Sequence, residues 1–241
     1  MISRLLIIAL SLLLNNAFAD EKDIVKSLGP YIPSLQETDV VETPIQGIYE
    51  VIITNPKLDI LYISGDGRFI VQGDIIDFEN GSNITKRRLA SLAKHALLGA
   101  NQDDMIVYPA EKEEYVINVF TDVDCPYCRK LHNDLDALNE LGITIKYLAF
   151  PRSGVNTKSF YKSVSIWCSD NRKQSMDLGM LQKDVPSINC DSPVVEHLNL
   201  AQDFGVSGTP YIFFENGANI PGYVEPKALL QEIKRSLAKF N

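Results

Sequence analysis

Tyr115-Val116-Ile117-Asn118-Val119-Phe120, then Thr121-Asp122-Val123-Asp124, then Cys125-Pro126-Tyr127-Cys128, is the stretch on which the reading of this chain turns. The first six residues have the apolar, β-branched character of a strand. The residues after the cysteines, Arg129 to Leu141, read as a helix with Leu131, Leu135 and Leu138 on one apolar stripe and Gly142 as its cap. Two thiols separated by two residues can close into a small disulfide or open into a dithiol. At the start of a helix the aligned peptide dipoles favour the first thiolate, which is the attacking species in disulfide exchange. Cys125 is therefore the expected nucleophile, and the one expected to be exposed. Cys128, one turn deeper, is the expected resolving thiol. A passive bridge is the alternative, but so short a loop removes little chain entropy.

The start of the chain fits export. Arg4, the apolar run Leu5 to Leu14 and Ala17-Phe18-Ala19 have the order of a secretory signal cut after Ala19. The apolar run is short for a membrane span. An oxidising destination favours disulfides over zinc for the four cysteines, Cys125, Cys128, Cys168 and Cys190. Zinc sites are usually built from two closely spaced pairs, and Cys168 and Cys190 are far apart, so no metal is expected. They flank a loop-rich segment containing Gly179, Pro186 and Ser187, and read as a structural disulfide. A bridge of that span is worth about 3 kcal/mol in the chain-entropy model. The sequence has 23 basic and 31 acidic residues, a formal net charge of −8, or −9 once Arg4 leaves with the signal. That balance argues against nucleic acid or anionic lipid as a partner.

Three regions follow the signal at 1–19. Residues 20–82 read as a short helix and then strands: Gly47 to Thr54, Ile60 to Ser64, a turn at Gly65-Asp66-Gly67, and Arg68 to Ile76. So small a unit has a marginal core and often gains stability by pairing a sheet edge with another copy. Residues 83–103 read as a linker helix and hinge. Asn83 or Thr85 starts the helix, Leu89, Leu92, Ala93, Ala96 and Leu97 form its stripe, and Gly99 stops it. Residues 104–241 run strand, CxxC helix, strand, helical region (158–167), loop-rich stretch to Ser192, helix (194–204), strand (211–214), short strand and final helix (226–240). That order is a thioredoxin fold with a helical insertion. In such a fold a cis proline faces the CxxC. Thr209-Pro210, before Tyr211 to Phe214, is in the right place, with Thr209 expected to pair with an extended substrate.

His132, four residues after Cys128, is expected at the surface or half-buried, with tuning of the thiols as the alternative. His95 and His197 have no ligand partners at useful spacing. Asp122 and Asp124 either raise a thiol pKa or are simply solvated.

With these motifs laid out, the chain resembles the DsbC/DsbG-type periplasmic disulfide isomerases of the thioredoxin superfamily. The resemblance rests on Val119 to Cys125, Cys128 with Lys130-Leu131-His132, Leu141-Gly142-Ile143-Thr144, and Tyr147-Leu148-Ala149-Phe150-Pro151-Arg152. It extends to Ile166-Trp167-Cys168, Gly205 to Pro210 and Pro221-Gly222-Tyr223. It implies an α+β, cystatin-like N-terminal dimerisation domain, a linker helix and a C-terminal α/β thioredoxin domain. It further implies a homodimer whose apolar cleft takes misfolded, disulfide-containing exported proteins, chaperone activity, no cofactor, and a membrane reductase of the DsbD type as partner. The sequence departs from the family at the active-site dipeptide, Pro126-Tyr127 where Gly-Tyr is common. Proline at the first helical position can alter the balance between dithiol and disulfide. Net oxidase flow and a holdase chaperone with secondary redox function are accordingly the alternatives to isomerase.

Overall fold

The computed structural model describes residues 21–240. The expected signal, 1–19, lies outside the described residues. The chain forms two compact units: one comprises the residues up to Ile52 with Leu61–Gln72, the other Ile53–Ile60 with the chain from Gly73 onward. No helix among the described residues is long and apolar enough to cross a membrane.

The first unit is α+β. Helix α1 (Glu21–Leu28) buries Ile24 and Leu28 with Leu35, Val40, Tyr49, Val51 and Ile63. The strands are β1 (Val40–Glu42), β2 (Ile48–Ile53), β3 (Asp59–Ser64) and β4 (Ile70–Gln72), side by side in that order. Short β1 carries no strong pattern and was not foreseen. The turn at Gly65-Asp66-Gly67 is present: the Asp66 carboxylate accepts from the Ser64 hydroxyl and the Arg68 N–H, and Gly67 takes φ +70°. The single strand expected from Arg68 to Ile76 is two pieces. Gly73, at φ +147°, ends β4, and β5 (Ile76–Asp77) pairs instead with β6 (Ser82–Asn83).

In the second unit, α2 (Ile84–Gly99) begins at Asn83, whose side chain accepts from the Lys86 N–H at 2.8 Å. Its buried stripe is Ala90, Ala93 and Leu97, rotated from the expected one. Ala96 is exposed and Leu89 and Leu92 are half-buried. Small residues face inward because the helix backbone passes close to the turn at Gly217, where an added Cβ would stand 1.8 Å from the Ala90 carbonyl oxygen.

The sheet of this unit has the order β11-β10-β8-β9-β7. Its strands are β7 (Ile106–Tyr108), β8 (Tyr115–Thr121), β9 (Ile143–Ala149), β10 (Tyr211–Phe214) and β11 (Asn219–Pro221). β8 and β9 are parallel, and the other pairs antiparallel. Alternate residues of β8 feed two cores, as the period of a strand requires. Ile117 and Val119 join Leu131, Tyr147, Ile166 and Trp167. Phe120 packs with Ala93, Leu97, Leu148 and Phe213. The connections are α3 (Pro126–Asn133), α4 (Leu135–Glu140), α5 (Lys158–Trp167), α6 (Arg172–Met180) and α7 (Val194–Asp203), with α8 (Pro226–Phe240) last.

The expected CxxC helix is broken at Asp134, which closes α3 and accepts the Tyr223 hydroxyl. Its leucine stripe is buried all the same, and Gly142 takes φ +77° at the end. The loop-rich stretch to Ser192 contains α6, capped by the Asn171 side chain. Gly179 hid it from a propensity reading. A Cβ there would come within 3.2 Å of Val123 and 3.1 Å of Ile166, so a close approach selects the glycine. Cys168 and Cys190 are joined, with their Cα atoms 5.7 Å apart.

Gly217→Ala brings both a backbone clash and a strained φ of +80°. It is expected to cost about 3 kcal/mol, read as a fall in the denaturant midpoint. A change under a few tenths of a kcal/mol would contradict the close approach of α2.

Candidate active site

The two thiols stand where the end of β8 passes into α3. Cys125 occupies the N-cap position and Pro126 the first helical position, where its missing N–H leaves nothing unsatisfied. The approach is clamped by Asp122. This buried carboxylate accepts from the Ser159 hydroxyl at 2.8 Å, the Asp124 N–H at 2.9 Å, the Arg152 N–H at 3.0 Å and Arg152 Nε at 3.3 Å. The Asp122 carbonyl in turn accepts from the Cys125 N–H. The alternatives for Asp122 were a raised thiol pKa or simple solvation. Burial excludes the second, and the Arg152 guanidinium offsets its charge. Asp124 pairs with Lys162.

Both cysteines are free thiols and both are only 1% exposed. Burial of Cys125 corrects the expected exposure. The Thr209 carbonyl covers its sulfur, accepting from Sγ at 3.2 Å. The Thr209-Pro210 peptide is cis, as expected. Pro126 and exposed Tyr127 complete the surroundings, so all six residues singled out around the thiols meet at one place.

The two sulfurs are electrostatically unequal. The Cys128 thiol donates to Cys125, and this, against the cost of burial, pulls the Cys125 pKa down to about 5. The N–H groups of Cys128 and Tyr127 add to the effect. Burial pushes Cys128 far up, and its hydrogen bond to Cys125 adds to that. For Arg152, burial works against the charge, but negative charge at Cys125, Asp122 and Cys128 outweighs it and raises the pKa. The pair can thus present a thiolate at neutral pH, next to a thiol that stays protonated until something takes its proton.

His132 is half-buried, one of the two placements expected. Its side chain is 9% exposed, with Nε2 3.2 Å from the Asp177 carboxylate and the ring stacked on Tyr147. Burial lowers its pKa. His197 is structural: buried, it accepts the Ala149 N–H through Nδ1, and burial brings its pKa to about 4. Sequence reasoning missed Arg152, Asp177, Tyr108 and Tyr147 as neighbours of the site. Only Tyr147 left a signal, since a strand pairing parallel with β8 had to place one residue opposite Val119.

Comparison with known proteins agrees with this geometry. Residues 101–236 match the model of a thioredoxin-like domain, and residues 15–86 that of a disulfide bond isomerase protein N-terminal domain. The chain is 38% identical to the thiol:disulfide interchange protein DsbC of Salmonella typhimurium, over 88% of this chain and 86% of that one. It is 36% identical to the DsbC of Escherichia coli K12, over 88% and 87%. A crystal structure of a disulfide interchange protein from Neisseria gonorrhoeae is similar with a TM-score of 0.51 at 27% identity, covering 56% of this chain and 97% of the other.

The ultraviolet absorbance of the Cys125 thiolate in reduced protein, measured against Cys125→Ser, is expected to titrate with a midpoint near pH 5. A midpoint in the ordinary thiol range, about 8.5, would contradict the hydrogen bonding described.

Proposed function

Because this chain belongs to the DsbC family of thiol:disulfide interchange proteins, we propose that Cys125 and Cys128 are its reacting pair and that it isomerises wrong disulfides in exported proteins. The observation that carries this is the inequality of the two sulfurs, one held as thiolate near pH 5 and one kept protonated beside it. Cys125 thiolate attacks a substrate disulfide. A bond forms between Cys125 and one substrate sulfur, the old S–S bond breaks, and the other substrate sulfur leaves with the electron pair. That freed thiolate attacks the correct partner, or Cys128 attacks Cys125 and ends the mixed disulfide. Thr209 and Pro210 form the wall along which an extended substrate segment lies.

The remaining assignments belong to the same reading. The site works in the periplasm after cleavage of 1–19, with 20–82 as dimerisation domain, 83–103 as linker and hinge and 104–241 as the reacting domain. A membrane reductase of the DsbD type supplies electrons. The homodimer is supported by β4, which ends its sheet as an edge strand with Phe69, Ile70 and Val71 all more than half exposed. An apolar edge of this kind invites a second strand. The oxidase direction has one observation in its favour, because a stabilised thiolate favours the dithiol form and makes the disulfide a readier oxidant. Alkylation trapping in the periplasm separates the two: a reduced pair supports isomerisation, a wholly oxidised pair overturns it.

With scrambled, disulfide-rich ribonuclease as substrate, Cys125→Ser is expected to bring the refolding rate down to the uncatalysed one, and an unchanged rate would refute the assignment. Val71→Glu is expected to convert a dimer to a monomer by light scattering. A mass unaltered by that charge would remove β4 from the interface.

A further inference from the structure

Cys128 must lose a proton before it can attack, yet it lies 1% exposed. Of the two carboxylates that precede the motif, Asp124 pairs with Lys162, and four donors, two of them from Arg152, already occupy Asp122. Behind Cys128 is a second polar group of residues that the proposed function has not used. His132 follows Cys128 by one helical turn on the same face of α3. Tyr147, on β9, is fully buried, and charge at Cys128 acts on its hydroxyl. Two polar atoms of this group, the Tyr147 hydroxyl and His132 Nδ1, are buried without a hydrogen-bond partner among the described residues.

An unmade hydrogen bond on a buried polar atom costs about 1–3 kcal/mol, so two together call for an explanation. The other side of the imidazole is fully engaged. Nε2 faces Asp177 at 3.2 Å, which places its proton on Nε2 and leaves the lone pair on Nδ1. Asp177 is itself held by the Tyr108 hydroxyl and is half exposed to water. The other groups around the ring are Tyr108 on β7, edge-on at 5.3 Å, and Lys173 on α6, whose ammonium lies 4.9 Å from the centre of the Tyr108 ring.

We propose that His132, oriented by Asp177, receives the proton of Cys128 when the mixed disulfide is resolved. This rests on the reading of Cys125 as nucleophile and Cys128 as resolving thiol. The proton comes to rest on Nδ1, whose lone pair has no other partner among the described residues. The Cys128 thiolate then attacks the Cys125 sulfur. The Cys125–Cys128 bond forms, the bond from Cys125 to the substrate breaks, and its electron pair leaves on the substrate sulfur. Imidazolium and Asp177 carboxylate form a neutral pair at the end of the step. The half-exposed carboxylate lets water remove the proton, which balances the substrate thiolate released. Because burial keeps the imidazole below its ordinary pKa, it is neutral and able to accept at neutral pH. It loses that ability as the pH falls through its own pKa.

The test separates attack from resolution. Reduced protein is mixed with dithiobis-nitrobenzoate in a stopped-flow instrument across a pH series. A first coloured thiolate leaves when Cys125 attacks and a second when Cys128 resolves. His132→Gln is expected to leave the first phase unchanged, to slow the second by about 10²-fold, the scale of general-base catalysis, and to abolish its fall in acid. Asp177→Asn removes the carboxylate that raises the imidazole pKa, so the acid fall moves to lower pH. A second phase unchanged in His132→Gln, or both phases slowed equally, would overturn the proposal. Should His132→Gln not fold, an acid fall unmoved in Asp177→Asn overturns it by itself. If Cys125→Ser keeps the first phase, the assignment of the reacting pair fails first, and the proton route with it.

Discussion

Cys125 occupies the N-cap position of α3, and the site's chemistry depends on that position. The first amides of a helix have no partners within it. Here the Cys128 thiol, and after it the N–H groups of Cys128 and Tyr127, favour negative charge on the Cys125 sulfur. Negative charge is therefore favoured on one sulfur and disfavoured on the other, although both are equally hidden from water. Asp122 makes this positional. With four donors on one buried carboxylate, the end of β8, the start of α3 and the segment at Arg152 and Ser159 are tied to a single point.

Much of this was legible in the residues. An apolar β8, a cysteine at the helix cap, a leucine stripe and a proline at the head of β10 each follow from local spacing, and each is where that spacing puts it. What escaped notice was decided at long range. The α2 helix turns Ala90 and Ala93 inward because Gly217, far along the chain, sets how close its backbone comes. Helix α6 is polar and contains glycine, so neither periodicity nor propensity marks it, and Asp177 went unseen with it. Cys125 looked exposed because it begins a helix. What hides it is the Thr209 carbonyl, and no local pattern around residue 125 reveals a carbonyl arriving from residue 209.

The covered sulfur also bears on recognition. The protonated thiol donates to the Thr209 carbonyl, whereas the thiolate, stabilised by the Cys128 thiol, sets that carbonyl oxygen against negative charge. Ionisation weakens the contact that hides the sulfur, so the covering segment is held least when the sulfur is ready to attack. Tyr127, exposed beside it, offers an aromatic face to whatever approaches.

The bond between Cys168 and Cys190 sets a condition on how this molecule comes into being. It spans the segment that contains α6, hence Asp177 and the glycine packed on Val123. A newly made chain has four thiols, and the two nearest in sequence are the pair that must end up apart from this bond. Maturation thus requires a sorting of partners before the finished molecule can sort them for others. Each copy is a client of disulfide chemistry before it becomes an agent of it.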